Sequence, residues 1–323
     1  MRKLVFMMLA AVMGLTAFSS SSFAATPIKI FVLNKQIQTD AAPILEQGAV
    51  LVPIRAVAEA LLADVAWDPK LSTVTIRKWS ETIILTVGQK SGVLQGKSDS
   101  SATISLSVPV KKVNNSVYVP LRFVSEQFGY QVAWKDRAVY INSPLPAEIQ
   151  ATLHEGTLEA SRELLINKII HQADIHYNEQ PLNATYEGEH MTWTFLFPEG
   201  EALRFYLIRD GIISLIEIQD DFLVATWQAY IAQGDGLQPF AEKKFSDEKG
   251  VNPSIEKNFY FYSSGGFGDS NHQSSGQIEQ NGQITVMGHK SSAGGTVYQE
   301  VGTIGLKLAD EVRKEHDKEK AKE

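Results

Sequence analysis

Eighteen residues from Val50 to Trp67, "VLVPIRAVAEALLADVAW", recur from Val117 to Trp134 as "VYVPLRFVSEQFGYQVAW", with nine identities at a constant offset of 67. A match of that length within one chain is an internal duplication, and both copies must then fold to one local plan. The identical pairs include Pro53/Pro120, Arg55/Arg122, Glu59/Glu126 and Trp67/Trp134. The preceding segments match more loosely: "LNKQI" from Leu33 echoes "LQGKS" from Leu94, and Pro43 and Pro109 stand ahead of the polar turns "EQG" and "NNS".

Proline is preorganised for the first position of a helix, where its missing N–H costs nothing, so Pro53 and Pro120 mark helix starts. Val57 and Leu61, and Val124 and Phe128, then fall four apart on one apolar face. Gly129 suits the end of the second helix, and Leu62 in the matching place of the first leaves the turn there unaccounted for. Each helix is followed by a short apolar step to tryptophan and then by an alternating strand, "STVTIRK" from Ser72 and "RAVYINS" from Arg137. "TIILTVG" and "ATISLSVPV" add strands between the copies. The expected class is α+β: a duplicated strand–helix–strand domain over residues 25–143.

The Arg55/Glu59 and Arg122/Glu126 pairs are spaced for ion pairs on a helix surface, worth only a few tenths of a kcal/mol. A guanidinium also suits a carboxylate or phosphate ligand. Recurrence beside the same proline and tryptophan favours packing, because structural repeats preserve packing positions. Trp67 and Trp134 are likewise expected as large buried apolar contacts.

These phrases, with "TVTI" after the first and "AVYI" after the second, resemble the copper amine oxidase N-terminal-like domain, or stalk domain, over about Ile28 to Ser143. The resemblance implies an antiparallel sheet curled around a helix, used as an accessory module of secreted and surface proteins of Gram-positive bacteria, without catalytic residues of its own. Pro53, Arg55, Glu59, Trp67, Pro120, Arg122, Glu126 and Trp134 are its motif residues, expected to be structural. Copper histidines and the quinone-forming tyrosine of amine oxidases belong to a different and larger domain. The sequence has no His-x-His pair, and His171 and His176 would face different sides of a helix. Amine oxidase activity is therefore not expected, and neither cofactor nor metal is.

Arg2 and Lys3, the apolar run Leu4 to Phe18 and the exit Ser22-Phe23-Ala24 read as a signal peptide over residues 1–24, which places the mature chain outside the cytoplasm. The apolar run falls short of the roughly 20 residues that cross a bilayer, so no membrane span is expected after processing. With 30 Lys+Arg against 37 Asp+Glu, the formal charge of -7 lacks the basic footprint of a nucleic-acid partner. The absence of cysteine excludes disulfides, thiolate metal sites and a cysteine nucleophile.

After a Pro-punctuated linker over residues 144–154, the domain expected at 155–308 opens with an amphipathic helix, Leu158 to Ala173, and continues in a β-meander turning at Pro198-Glu199-Gly200, Asp210-Gly211 and Asp220-Asp221. Phe259 and Phe261 are expected to face the core. Tyr260 and Tyr262 would then face out beside a Gly/Ser loop, as weak candidates for stacking on sugar rings. A hairpin turns at Asn281-Gly282, and the tail 309–323, mixed in charge, reads as a solvated helix or frayed end.

Ser254 and Lys257 fit Ser-x-x-Lys, but the accompanying Ser-Asp-Asn and Lys-Thr-Gly are missing. Asp269, Asn271 and Gln273 imitate a calcium loop that lacks its glycine and its closing glutamate. No catalytic residue is expected. The function read from sequence is a secreted, non-catalytic protein, noncovalently associated with the cell envelope, whose stalk-like module presents a C-terminal binding domain to a cell-wall polymer or a secreted or surface protein. Competing readings are a secreted hydrolase with an unrecognised C-terminal catalytic domain, and an inhibitor or regulator of another secreted enzyme.

Overall fold

The computed structural model describes residues 27–96, 101–184, 191–232 and 234–315; residues 1–24, read above as a signal peptide, and the last eight residues lie outside them. Among the described residues, no helix is long and apolar enough to cross a membrane.

Both repeated phrases run strand, helix, strand. Ala49–Pro53 leads into helix α1 (Ile54–Ala60) and on to Asp64–Asp68, and Ser116–Pro120 leads into α2 (Leu121–Gln127) and on to Gln131–Lys135. Each proline is the residue immediately before its helix and the last of its strand, one place earlier than expected. Val57, Leu61, Val124 and Phe128 are all buried in one core.

The copies meet through their central strands, Ala49–Pro53 and Ser116–Pro120, which pair antiparallel with Val52 opposite Val119, Leu51 opposite Pro120 and Pro53 opposite Tyr118. Shifting by 67 carries Val52 onto Val119 and exchanges the two flanking pairs, so a local two-fold axis passes between the valines. The hairpin strands Ile44–Glu46 and Lys111–Val113 lie at the two ends of this sheet. Gln131–Lys135 begins a second sheet, continuing through Ala138–Asn142 and Lys29–Val32 to Lys35–Ile37. Asp64–Asp68 begins a third, through Thr73–Lys78, Glu81–Thr86 and Ser91–Gln95 to Ser101–Ser105.

The unaccounted turn after α1 is made by Leu62 itself, held at φ 53° with 80% of its surface exposed, where Gly129 takes φ 84° in the second copy. A left-handed non-glycine residue costs roughly 1–2 kcal/mol, and Leu62 regains none of it by burial. Leu62→Gly is expected to raise stability by about 1 kcal/mol in urea denaturation, part of the relief being offset by unfolded-chain entropy.

The segment expected as a linker holds helix α3 (Ala147–Glu155), whose Leu153 is fully buried. Pro144 and Pro146 precede a helix start, a place proline favours, instead of interrupting structure. Helix α4 (Leu158–Leu164) is capped by Thr157, whose hydroxyl accepts from the Ala160 N–H, and passes through a π-helical turn, Leu165–Ile169, into Ile170–Gln172. The meander strands Met191–Pro198, Arg204–Arg209, Ile212–Gln219 and Phe222–Tyr230 follow and join Phe259–Phe267, Ser270–Ile278, Ile284–Ala293 and Thr296–Gly302 in one large sheet.

Both faces of that sheet are covered where its central strands lie. Leu153, Leu165 and Ile169 pack on Phe195, Phe197, Phe205 and Leu207 on one side, and Phe240 of the short helix Leu237–Ala241 packs among Trp227, Tyr206, Phe259 and Phe261 on the other. Tyr260 and Tyr262 therefore point into protein: they are 2% and 7% exposed, which corrects the expectation that they face out and leaves no open ring face for the stacking they were weak candidates for. Strand alternation was read correctly, but the outward side had its own cover.

The charged tail also departs from expectation. Residues 309–315 form no helix, and the fully buried side chain of Glu311 pairs with the equally buried one of Arg162 at 2.6 Å. Arg313 donates to the carbonyls of Leu153 (2.7 Å) and Gly156 (2.8 Å), closing the end of α3, and Glu315 accepts from the Ala202 N–H at 2.8 Å. The segment is a strap across helices and sheet.

The amino- and carboxy-terminal parts share a core. Phe222 and Val224 belong to the cluster that contains Val57 and Phe128. Phe222 meets the rings of Tyr130 (4.8 Å) and Trp79 (5.2 Å) edge-on, while Trp79 stacks on His176 at 3.9 Å. A β-carbon on Gly129 would stand 2.9 Å from Phe222 Cε1, so the second copy needs glycine for close approach as well as for φ. The Ser80 N–H donates to the Tyr177 carbonyl at 2.6 Å, and Glu81 Oε1 meets His176 Nδ1 at 2.9 Å. Burial draws the pKa of Lys78 downward here, with Asp220 opposing.

Candidate binding groove

The two-fold arrangement puts each hairpin tip across the other copy's tryptophan, and the two crossings differ. Lys112, on the strand Lys111–Val113, places its ammonium over the Trp67 ring at 5.2 Å, and Trp67 packs half-buried against the core. The residue related to Lys112 by the offset of 67 is Leu45, on Ile44–Glu46. There the ring stays open: Trp134 is 45% exposed and lines a groove of about 610 Å³. This corrects the expectation that both tryptophans are buried; a methyl-ended side chain replaces a long cationic one on the crossing strand.

Groove walls come from three elements. The hairpin containing Leu45, Gln47 and Gly48 forms one, the first turns of α2 with Arg122, Phe123 and Glu126 a second, and Val132, Ala133 and Trp134 a third. The volume lies within the roughly 300–1,000 Å³ typical of ligand sites. Arg122 Nε lies 3.7 Å from Glu126 Oε1, both exposed, which supplies a polar rim of both signs to an apolar floor. In the first copy Arg55 and Glu59 are exposed but do not line this groove, and Ala56 stands where Phe123 does. Of the eight motif residues, the structure brings Pro120, Arg122, Glu126 and Trp134 to the groove and leaves Pro53, Arg55, Glu59 and Trp67 in packing or surface positions. Leu45, Phe123 and Gln47 were missed from sequence; the departures between copies at 45/112 and 56/123 were the available signal.

The remaining candidates fall apart in space or state. Lys257 donates to Glu201 Oε1 at 2.7 Å and Arg204 to Glu201 Oε2 at 2.8 Å. Burial pushes the Glu201 carboxyl up, but these two bonds outweigh it and hold it down at about 2. Lys257 is thus engaged by Glu201, and Ser254 lies exposed. Asp269 sits in the turn before Ser270–Ile278, and Asn271 and Gln273 follow on that extended strand, so the three do not encircle an ion. His176 lies on the strand Ile175–Tyr177 at the shared core, while His171 packs beside Trp193 at 4.9 Å.

Residues 31–141 match the family model described as the copper amine oxidase N-terminal domain, a span that takes in both repeats and the groove. The comparison with curated proteins returned no match to the chain.

Proposed function

We propose that this chain is an exported, non-catalytic binding protein of the cell envelope, of the kind found in Gram-positive bacteria. Its duplicated strand–helix–strand module, with an antiparallel sheet curled around helix, carries the ligand surface. The single observation behind this reading is the open face of Trp134 in a groove whose related site, at Trp67, is filled by the protein's own Lys112. Tryptophan and arginine, which meet here, are the residues enriched in binding hot spots. Export rests on the basic, apolar and small-x-small pattern of residues 1–24. The carboxy-terminal part, sharing a core with the module, then acts as its rigid support. This moves the binding surface from the carboxy-terminal part, where it was expected, to the module.

Cosedimentation of the mature protein with purified cell walls over a salt series tests the reading. Trp134→Ala is expected to weaken pelleting about tenfold or more while leaving the thermal transition unchanged, since the ring contributes little to the core. Equal pelleting of variant and parent would remove the groove from the function, and absence of pelleting by the parent would remove the wall from it.

A further inference from the structure

We infer that the groove accepts an extended peptide strand from a partner protein, presenting a lysine whose ammonium takes over Trp134 the place that Lys112 takes over Trp67. The inference rests on the groove being the binding surface and adds the chemistry of its occupant. The molecule contains two related sites and solves one of them internally. Over Trp67 the covering group is a lysine whose ammonium stands 5.2 Å from the ring centroid, a cation–π geometry. At the related position Leu45, itself 57% exposed, lines the groove with Trp134, so an apolar side chain is present and the cation is not supplied. Arg122 and Glu126 line this site, and the carboxylate of Glu126 supplies a charge opposite to that of an incoming ammonium. Phe123 in place of Ala56 adds apolar wall for neighbouring side chains.

The shape of the occupant follows from the strands that border the groove. Gln131–Lys135 and Ile44–Glu46 are each the terminal strand of their own sheet among the described residues. A terminal strand offers unpaired N–H and C=O groups, and an extended peptide adds to such an edge by main-chain hydrogen bonds while its alternate side chains fill adjoining pockets. A peptide strand lying between two such edges would direct one side chain in two toward Trp134. Lysine satisfies both demands, the extended backbone and the cation.

The test follows the tryptophan indole N–H resonances of the mature protein, assigned with Trp134→Phe, on titration with Thr-Val-Lys-Val-Thr and with its norleucine counterpart. The Trp134 resonance is expected to shift saturably, with the lysine peptide bound about two- to fivefold more tightly. Leu45→Lys, at an exposed position, should fill the groove from within and abolish the response. Lys112→Leu should make the Trp67 resonance respond as well. Equal affinity of the two peptides overturns the cation while leaving the groove standing. No shift with either peptide, alongside loss of wall pelleting in Trp134→Ala, overturns the peptide occupant but not the binding function. A Leu45→Lys variant that binds like the parent overturns the equivalence of the two sites.

Discussion

Glu311→Ala is expected to cost about 3–5 kcal/mol of stability, the range for removing one partner of a buried ion pair. The size follows from what is left behind. Arg162 is fully buried, and its Nη1 and Nη2 reach Glu311 at 2.9 and 2.6 Å. Its other bonds run to the carbonyls of Glu201, Leu306 and Pro198, which satisfy donors but carry no opposing charge. Glu311 also accepts from the Gly200 N–H at 2.8 Å and the Leu308 N–H at 3.0 Å, so alanine strands two backbone donors as well as a cation. Urea denaturation of the parent, Glu311→Ala and the double variant Arg162→Leu/Glu311→Leu separates the contributions. The double variant should recover much of the loss, because no charge remains to be desolvated. A loss below about 1 kcal/mol for Glu311→Ala would mean that the strap detaches cheaply and that the pair is not buried in solution.

Phe222→Ala should be nearly as damaging, at about 3–5 kcal/mol, and should change how the protein unfolds. Phe222 stands in the turn-proximal end of its strand and reaches out of the large sheet into the module's core, touching Tyr130, Trp79 and His176 by ring edges and filling the space above Gly129. With the ring present, neither part can open without exposing apolar surface of the other, so one cooperative transition is expected. With alanine, Val224, the Trp79–His176 stack, the Ser80–Tyr177, Gln180–Ser80 and Tyr130–Asp220 hydrogen bonds and the Glu81–His176 pair still join the parts, but the largest apolar contact between them is gone. Calorimetry should then resolve two transitions. A single transition that moves down intact would show that the coupling lies elsewhere in the junction.

What could be read from sequence was whatever depends on neighbours along the chain. Asp210-Gly211 turned a hairpin because the turn chemistry is local: Asp210 and Gly211 both hold positive φ. The repeated Pro–x–Arg phrase gave helices in the right places for the same reason. Trp134 escaped because its exposure is decided 89 positions away, by leucine instead of lysine at the tip of a crossing strand. The tail escaped because alternating charge looks solvated unless the buried Arg162 is known to await it. Tyr260 and Tyr262 escaped because one strand's pattern cannot tell whether its second face is covered by water or by helices.

The pairing of Lys29–Val32 with Ala138–Asn142 is parallel and joins residues more than a hundred positions apart. As the chain is synthesised, the earliest strand of the module therefore has only its short hairpin partner until the last one has been made. Closing so long a loop is entropically slow, and folds built on such contacts assemble late. The module should remain open and threadable for most of its own synthesis, its sheet closing only when residues near Ile141 arrive and its core only when Phe222 and Val224 follow.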